Sequence, residues 1–380
     1  MRVLVIGGGA WGCSIGYHLA LAGSAVTVLE RGGLASGSTS KAAGVVSPLL
    51  WSGTDVALVQ RSYRWFDEAC CRGDSTLHHP GEVKLVRTEA EARTLRDHAR
   101  RWRELGVAVE VLSTDDLASA FPALDASRFA AGAFVKAAGF ADPYQMTAAM
   151  VREGRDHGLV LRQGLPVIGM TTNRGVVTAV QTEDGTATAD IVVIAAGTWS
   201  KKVAAMAGIP LALKPYRAQA LATTPLPSQG LPVVHDASTG VYAFQEAGGG
   251  LIAGDGTQER EFDPDTFDRE ADFAFVSEVT GRLQEILPAS KGAQFVRGWA
   301  GLCGGTPDRR PLLGFHREVP NLYIACGDNG FGFMRSPALG ESIAAKILGK
   351  EPPVGLDDFD VNRFRGDEEF EIRQGYTLEA

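Results

Sequence analysis

Residues 3–12 read Val3-Leu4-Val5-Ile6-Gly7-Gly8-Gly9-Ala10-Trp11-Gly12, and the fold is decided there. An unbroken apolar run of β-formers is the pattern of a strand buried on both faces of a parallel sheet. Gly7, Gly9 and Gly12 then fit G-x-G-x-x-G. The first glycine permits a tight turn, the second lets backbone approach a pyrophosphate, and the third lets helix and strand pack closely. Ser14–Leu21 reads as a helix stopped by Gly23, and Ala25–Leu29 as the next strand, closed by Glu30. The helix start offers unpaired N–H groups to phosphate, and an acid at Glu30 can accept hydrogen bonds from ribose hydroxyls. Strand, helix and distal acid together predict a dinucleotide-binding βαβ unit. FAD and NAD share an adenosine diphosphate half, so this unit alone does not choose between them.

Working outward, Gly32–Gly44 is a loop of small residues, and Val56–Cys71 reads as an amphipathic helix with Val59, Tyr63 and Phe66 on one face. Glu82–Val86 alternates like a strand, and Glu89–Leu105 reads as a charged, solvated surface helix. A helix is expected over Tyr144–His157, then short strands from Val160 to Val180 with turns at Asn173-Arg174-Gly175 and Asp184-Gly185. Ile191–Ile194 and Leu322–Ala325 are again buried-type strands, each running into glycine. Leu211–Ile252 is strand-like, Thr266–Leu287 reads as a helix stopped by Pro288, and a last helix is expected from Pro337 to Leu348. The charged tail from Glu351 is expected to be partly loose. Three buried-type strands ending in glycine turns suit a doubly wound sheet, which binds its ligand at such ends.

The chain has 380 residues, 45% apolar and 22% charged, enough for two modest domains around sizeable cores. Its net charge of −8 leaves no basic surplus for nucleic acid. The five cysteines, Cys13, Cys70, Cys71, Cys303 and Cys326, have no zinc spacing, so no metal is expected. The adjacent pair Cys70-Cys71 reads as packing residues more readily than as a redox switch. A reduced, cytoplasmic setting is the expectation. No apolar run approaches the ~20 residues of a membrane span, and no signal peptide is expected at the start; peripheral membrane attachment stays open.

Four further segments resemble the D-amino-acid oxidase superfamily of FAD enzymes, in particular its glycine oxidase, sarcosine oxidase and dye-linked amino-acid dehydrogenase branch. They are the loop Gly37-Ser38-Thr39-Ser40-Lys41-Ala42-Ala43-Gly44; Ala195-Ala196-Gly197-Thr198-Trp199; Trp299-Ala300-Gly301-Leu302 with Thr306-Pro307-Asp308 and Pro311-Leu312-Leu313-Gly314; and Gly327-Asp328-Asn329-Gly330-Phe331-Gly332-Phe333. The resemblance covers roughly Met1 to Leu348. It implies an α/β fold: a Rossmann-type FAD-binding domain from residues 1–80, 141–210 and 300–350, and a substrate domain with a mostly antiparallel sheet from 81–140 and 211–299. Residues 351–380 form the tail. It implies FAD contacts at Gly7, Gly9, Ala10, Trp11, Gly12, Glu30, Arg31, Ser38, Thr39, Lys41, Ala43, Gly44, Val167, Ala196, Gly197, Trp199, Gly301, Asp328, Asn329, Gly330, Phe331, Gly332, Phe333 and Met334. Backbone N–H groups of Gly327–Met334 would stabilise negative charge on the flavin's pyrimidine side.

The same resemblance implies oxidation of a C–H next to nitrogen in a small amine or amino acid of the proline, sarcosine, glycine or D-amino-acid type, the cofactor doing the hard chemistry. Tyr242 resembles a tyrosine that reaches the substrate carboxylate. Arg335 is a candidate carboxylate anchor, with pairing to Glu341 as the structural alternative, and Arg217 reads as structural. Three departures bear on this. Cys303 stands where glycine oxidases have an arginine. Gly301 stands where sarcosine oxidases attach FAD through cysteine, so non-covalent FAD is expected. Ile252 stands where they have an oxygen-promoting lysine, which leaves both an oxidase and a dehydrogenase open. Oxidation of an alcohol or hydroxy acid, and a non-catalytic FAD-binding subunit of a larger complex, remain open as alternatives.

Overall fold

The structure is a computed structural model that describes residues 1–73, 77–256 and 261–372. The strand Arg2–Ile6 lies inside a six-stranded sheet, between Ile191–Ile194 and Ala25–Leu29. Val3 is in register with Ile191 on one side and Val26 on the other, and both pairings are parallel. Val319–Cys326 continues the sheet beyond Ile191–Ile194, so the three strands of continuous apolar sequence are neighbours. Val160–Arg162 and the antiparallel strand Leu312–His316 close the two edges. Side chains on both faces are buried, which is why these runs carry no polar alternation.

An eight-stranded sheet stands apart from it. Its order is Phe295–Gly305, Lys214–Thr223, Leu251–Gly254, Tyr242–Gln245, Val233–Asp236, Glu82–Val86, Ala131–Val135, Val109–Leu112. Every neighbouring pair is antiparallel except Val233–Asp236 with Glu82–Val86. The fold is therefore α/β with a parallel nucleotide-type sheet and a mostly antiparallel second sheet.

The helices are α1 (Ala10–Leu21), α2 (Gly53–Cys71), α3 (Glu89–Glu104), α4 (Thr114–Ala120), α5 (Pro143–Asp156), α6 (Ser200–Ala205), α7 (Phe273–Ile286) and α8 (Gly332–Ile347). Their starts are chemically marked. Ser52 caps α2, Thr88 with Glu91 and Ser113 with Asp116 form capping boxes, and Asp142 caps α5 ahead of Pro143. The ends of the chain meet where α1 packs on α8: a Cβ on Gly340 would lie 2.1 Å from Ser14 Oγ.

Three expectations are corrected, and one on the tail is tested only in part. α3 is not merely a solvated surface helix, because Ala92, Leu95, Ala99 and Trp102 are buried and Trp102 Nε1 donates to Leu50 O at 2.8 Å. The helix expected from Thr266 begins only at Phe273. The stretch before it is an irregular strap with a turn at 264–266, tied down by Asp263 and Asp265 on Lys202 and by Arg217, which binds Asp272 at 2.5 Å and the carbonyls of Asp268 and Glu270. The last helix starts at Gly332, with Pro337 inside it. Ser336 Oγ donates to Phe333 O at 2.8 Å, the carbonyl that Pro337 has no N–H to satisfy, and Ser62 Oγ accepts from Ala338 N at 3.1 Å. The tail is docked as far as it is described, with Leu356, Phe359 and Val361 buried and Lys346 paired to Asp357 at 2.5 Å. Residues 373–380 of that tail lie outside the described residues. No helix among the described residues is long and apolar enough to cross a membrane.

Candidate functional site

Between the glycine ends of the parallel sheet and one face of the eight-stranded sheet lies a cavity of about 840 Å³. The turn after Arg2–Ile6 forms one end of it. Gly7 sits at φ +117°, and a Cβ there would lie 2.3 Å from Ala195 O; a Cβ on Gly12 would lie 1.9 Å from Gly7 O. Gly7 and Gly9 face the cavity, whereas Gly12 lies behind them and sets the helix–strand approach. Both oxygens of Glu30 are engaged by backbone, accepting from Gly8 N at 2.7 Å and Gly32 N at 2.8 Å. Each carboxylate oxygen retains a lone pair for a ribose hydroxyl. Thr39 Oγ1 accepts from Ala10 N at 3.0 Å, bringing the small-residue loop onto the start of α1.

The other predicted cofactor positions converge on the same space. Ala10, Trp11, Glu30, Arg31, Ser38, Thr39, Lys41, Ala43, Gly44, Val167, Ala196, Gly197, Trp199 and Gly301 line it, as do Asp328, Gly330, Phe331, Gly332, Phe333 and Met334. Trp11 Nε1 donates to Gly332 O at 2.8 Å, so the two glycine loops are joined directly. Arg31 stacks over Trp199 at 4.0 Å, and Asp265 of the strap accepts from Arg31 at 2.9 Å, Trp199 Nε1 at 2.7 Å and Lys202 at 2.5 Å.

Asn329 does not line the cavity. It is buried, accepts from Thr306 N at 3.2 Å and donates to Gly327 O at 2.8 Å, so it holds the loop's shape. Arg335 is corrected in the same way. It is 1% exposed, ion-paired with Asp55, and bonded to Phe331 O at 3.1 Å and Asp328 O at 2.7 Å. Its guanidinium is spent inside the protein, so it does not serve as a carboxylate anchor. Glu341, the alternative partner, pairs instead with Arg61 at 2.6 Å. Arg217 is structural, as expected.

Tyr242 faces the cavity from the eight-stranded sheet, and burial, with Asp255 and Cys303 adding, pushes its phenol well above the ordinary range. It is a neutral hydroxyl. Cys303 also lines the space, and burial together with Asp328 raises its thiol.

Residues missed in the sequence complete this face: Glu82, Lys84 and His235, with Leu49 and Trp51 against Lys84 and Leu50 also lining the space. Glu82, Lys84 and His235 are 3%, 4% and 6% exposed. Lys84 Nζ donates to Leu49 O at 2.9 Å and lies 4.6 Å from the Trp51 ring centre. Burial pushes Glu82 up, but His235, whose Nδ1 lies 3.7 Å from Glu82 Oε1, and the charge of Lys84 outweigh it and hold the carboxyl below its usual range. Burial lowers both Lys84 and His235. Charges alternating with Val83 and Leu85 read locally as a solvent face; only the long-range pairing with Val233–Asp236 turns that face inward.

The volume is at the upper end of the ~300–1,000 Å³ that ligand pockets span. One end is a cradle that any Cβ would fill, and the other is walled by a glycine loop opening α8. Those residues fit FAD.

Comparison with known proteins agrees. The family model described as FAD dependent oxidoreductase (DAO) matches residues 2–346. Glycine oxidase of Geobacillus kaustophilus is 28% identical over 374 residues, covering 96% of this chain and 97% of that one. Mitochondrial dimethylglycine dehydrogenase of Rattus norvegicus is 28% identical over 387 residues, covering 96% of this chain but 45% of that one. The chain thus spans a little under half the length of that relative. Among solved structures, L-proline dehydrogenase from P. horikoshii superposes with a TM-score of 0.90 at 29% identity, covering 96% of this chain and 97% of that one. The chain belongs to the FAD dependent oxidoreductase family.

Proposed function

We propose that this FAD-dependent oxidoreductase oxidises the C–H next to nitrogen of a small amine or amino acid of the proline, sarcosine, glycine or D-amino-acid kind. When bound, FAD supplies the two-electron acceptor for the hydride lost from that carbon. The observation that carries the reading is the cavity itself: the phosphate cradle at Gly7 and Gly9 and the α8 loop share one space with a sheet face bearing Tyr242. Gly7, Gly9, Glu30, Thr39 and the strap at Asp265 would hold the nucleotide half. The N-terminal turn of α8, from Gly332, would set N–H groups and the positive end of its dipole beside the flavin's pyrimidine. Neutral Tyr242 would donate to a substrate oxygen. The relatives named above as an oxidase of glycine and dehydrogenases of dimethylglycine and L-proline support the nitrogen-bearing substrate.

Residues 1–80, 141–210 and 300–350 are assigned to holding FAD, and 81–140 with 211–299, apart from the strap at Asp265, to the substrate. FAD is held without a covalent bond in this reading, because the raised thiol of Cys303 disfavours the thiolate such a bond requires. Cytoplasmic residence is proposed on composition alone. The reading is tested by turnover of matched amino acids and hydroxy acids with an artificial electron acceptor. Turnover of the amino acids alone is expected; turnover of the hydroxy acids alone overturns it.

A further inference from the structure

The strap ahead of α7 is a short loop with both ends on the strand Lys214–Thr223. At one end Glu261 bridges Tyr216, and Phe262 N donates to Pro215 O at 2.9 Å. At the other, Arg217 Nε donates to Asp268 O at 3.0 Å and Gln219 Oε1 accepts from Asp272 N at 2.7 Å. Arg269 O also accepts from Ala300 N of the neighbouring strand at 2.8 Å. Arg217 is 3% exposed, so this second end is fixed inside the protein. Compact surface loops whose ends lie together in this way are frequently functional.

The tip, with its turn at 264–266, reaches across to the nucleotide-type sheet. There Asp265 accepts from three separate pieces of chain: Arg31 after Ala25–Leu29, Trp199, and Lys202 on α6. Asp263 accepts from the same Lys202 at 2.7 Å. Lys202, Arg31 and Trp199 together hold the Asp265 carboxyl below its usual range. The side chains of Arg31, Lys202, Asp263 and Asp265 are nevertheless 43% to 50% exposed. Ion pairs this exposed are weak one at a time and are screened by salt. The loop thus has a buried base and a soft tip, and loops that move for a ligand are drawn from such low-stability segments.

Arg31, Trp199, Lys202, Asp265, Phe267 and Arg269 all line the cavity, beside Glu30. Each partner at the tip belongs to the protein, so the latch closes without using a ligand atom. We propose that residues 263–269 are a hinged gate over the nucleotide end of FAD, latched by Asp265 and hinged at Arg217. FAD enters and leaves when the latch opens, and the loop retains it by closing the way out. This rests on the nucleotide half's lying beside Glu30, and it makes Asp265 a residue that sets the rate of cofactor exchange more than its affinity.

The test follows flavin fluorescence as FAD leaves the holoenzyme and as it is taken up by the apoprotein. Asp265→Asn and Lys202→Met both break the latch, yet they change the net charge in opposite directions. Each is expected to speed release and uptake together by about tenfold, leaving Kd within about threefold of the wild type. Asp265→Glu keeps the acceptor and should restore most of the slow exchange. Raising NaCl from about 0.02 to 0.5 M should speed release from the wild type several-fold, and Asp265→Asn should lose most of that response. Both replaced side chains are half-exposed, so the apoproteins should melt with the wild type. Attraction of the FAD phosphates to freed charge would instead speed uptake by Asp265→Asn and slow it for Lys202→Met, and that pattern overturns the gate. Faster release with unchanged uptake, unchanged rates in both variants, or a folded variant that takes up no FAD overturns it equally. FAD uptake by the wild type is a separate readout: its failure strikes the cofactor assignment, whereas unaltered exchange rates strike the gate alone.

Discussion

Gly9 and Gly12 sit three residues apart in one motif and answer to different forces. A Cβ on Gly12 would press to 1.9 Å from Gly7 O, whereas one on Gly9 would meet only Thr39 Oγ1 at 3.3 Å. Gly12→Ala should therefore cost about 1–3 kcal/mol of stability or more, as overpacking does. Gly9→Ala should fold within about 1 kcal/mol of the wild type and fail to hold FAD. Urea unfolding and flavin content separate the two, and a Gly9→Ala protein that keeps its FAD would contradict the assignment. His18, on the same helix, is driven by burial from 6.5 to about 4, with Glu341 opposing. Between those values the unfolded chain binds a proton that the folded chain does not. The share of stability due to His18 should thus be complete above pH 6.5, fall by at most about 3 kcal/mol as pH drops towards 4, and change no further below. Unfolding curves across that window, with His18→Gln flattening the slope, check it. The glycine spacing was legible because its geometry is local. The roles of Arg335 and Asn329 were not, because an ion pair to Asp55 or a bond to Thr306 leaves no local mark in sequence.

α8 shows how an element can be read correctly in kind and misplaced in extent. Pro337 suggested a first helical residue, yet hydroxyls of Ser336 and Ser62 cover the groups the proline leaves open, and the helix begins at Gly332. Arg335 fastens that first turn to Asp55 at the start of α2. Arg335→Leu should lower stability by about 3–5 kcal/mol, since it strands a buried carboxylate, and FAD affinity should fall with it. The paired change of Arg335 to Leu and Asp55 to Leu should recover part of that loss. If Arg335 instead anchored substrate, Arg335→Leu would fold normally, hold FAD and raise only KM; unfolding curves beside steady-state kinetics distinguish these results. The strap ahead of α7 carries the same lesson. Its composition permits a helix, but Asp263, Asp265 and Arg217 hold it in an irregular path through contacts distant in sequence.

At the scale of the whole molecule, strands from three distant stretches lie side by side and turn their glycine ends to one cavity. That convergence was legible, since continuous apolar runs ending in glycine have few other uses. The second sheet was legible only as a class. Its one parallel pairing carries Glu82 and Lys84 inward, and no local pattern announces it. The cavity joins a nucleotide-type cradle to that polar face, and on this junction the account stands. Its most direct test is anaerobic addition of proline or sarcosine to the purified, FAD-loaded enzyme. Loss of the visible flavin absorption is expected, and it should slow when deuterium replaces the hydrogen on the carbon next to nitrogen. A flavin spectrum left unchanged by every amino acid offered, or a protein that takes up no FAD, would contradict the account.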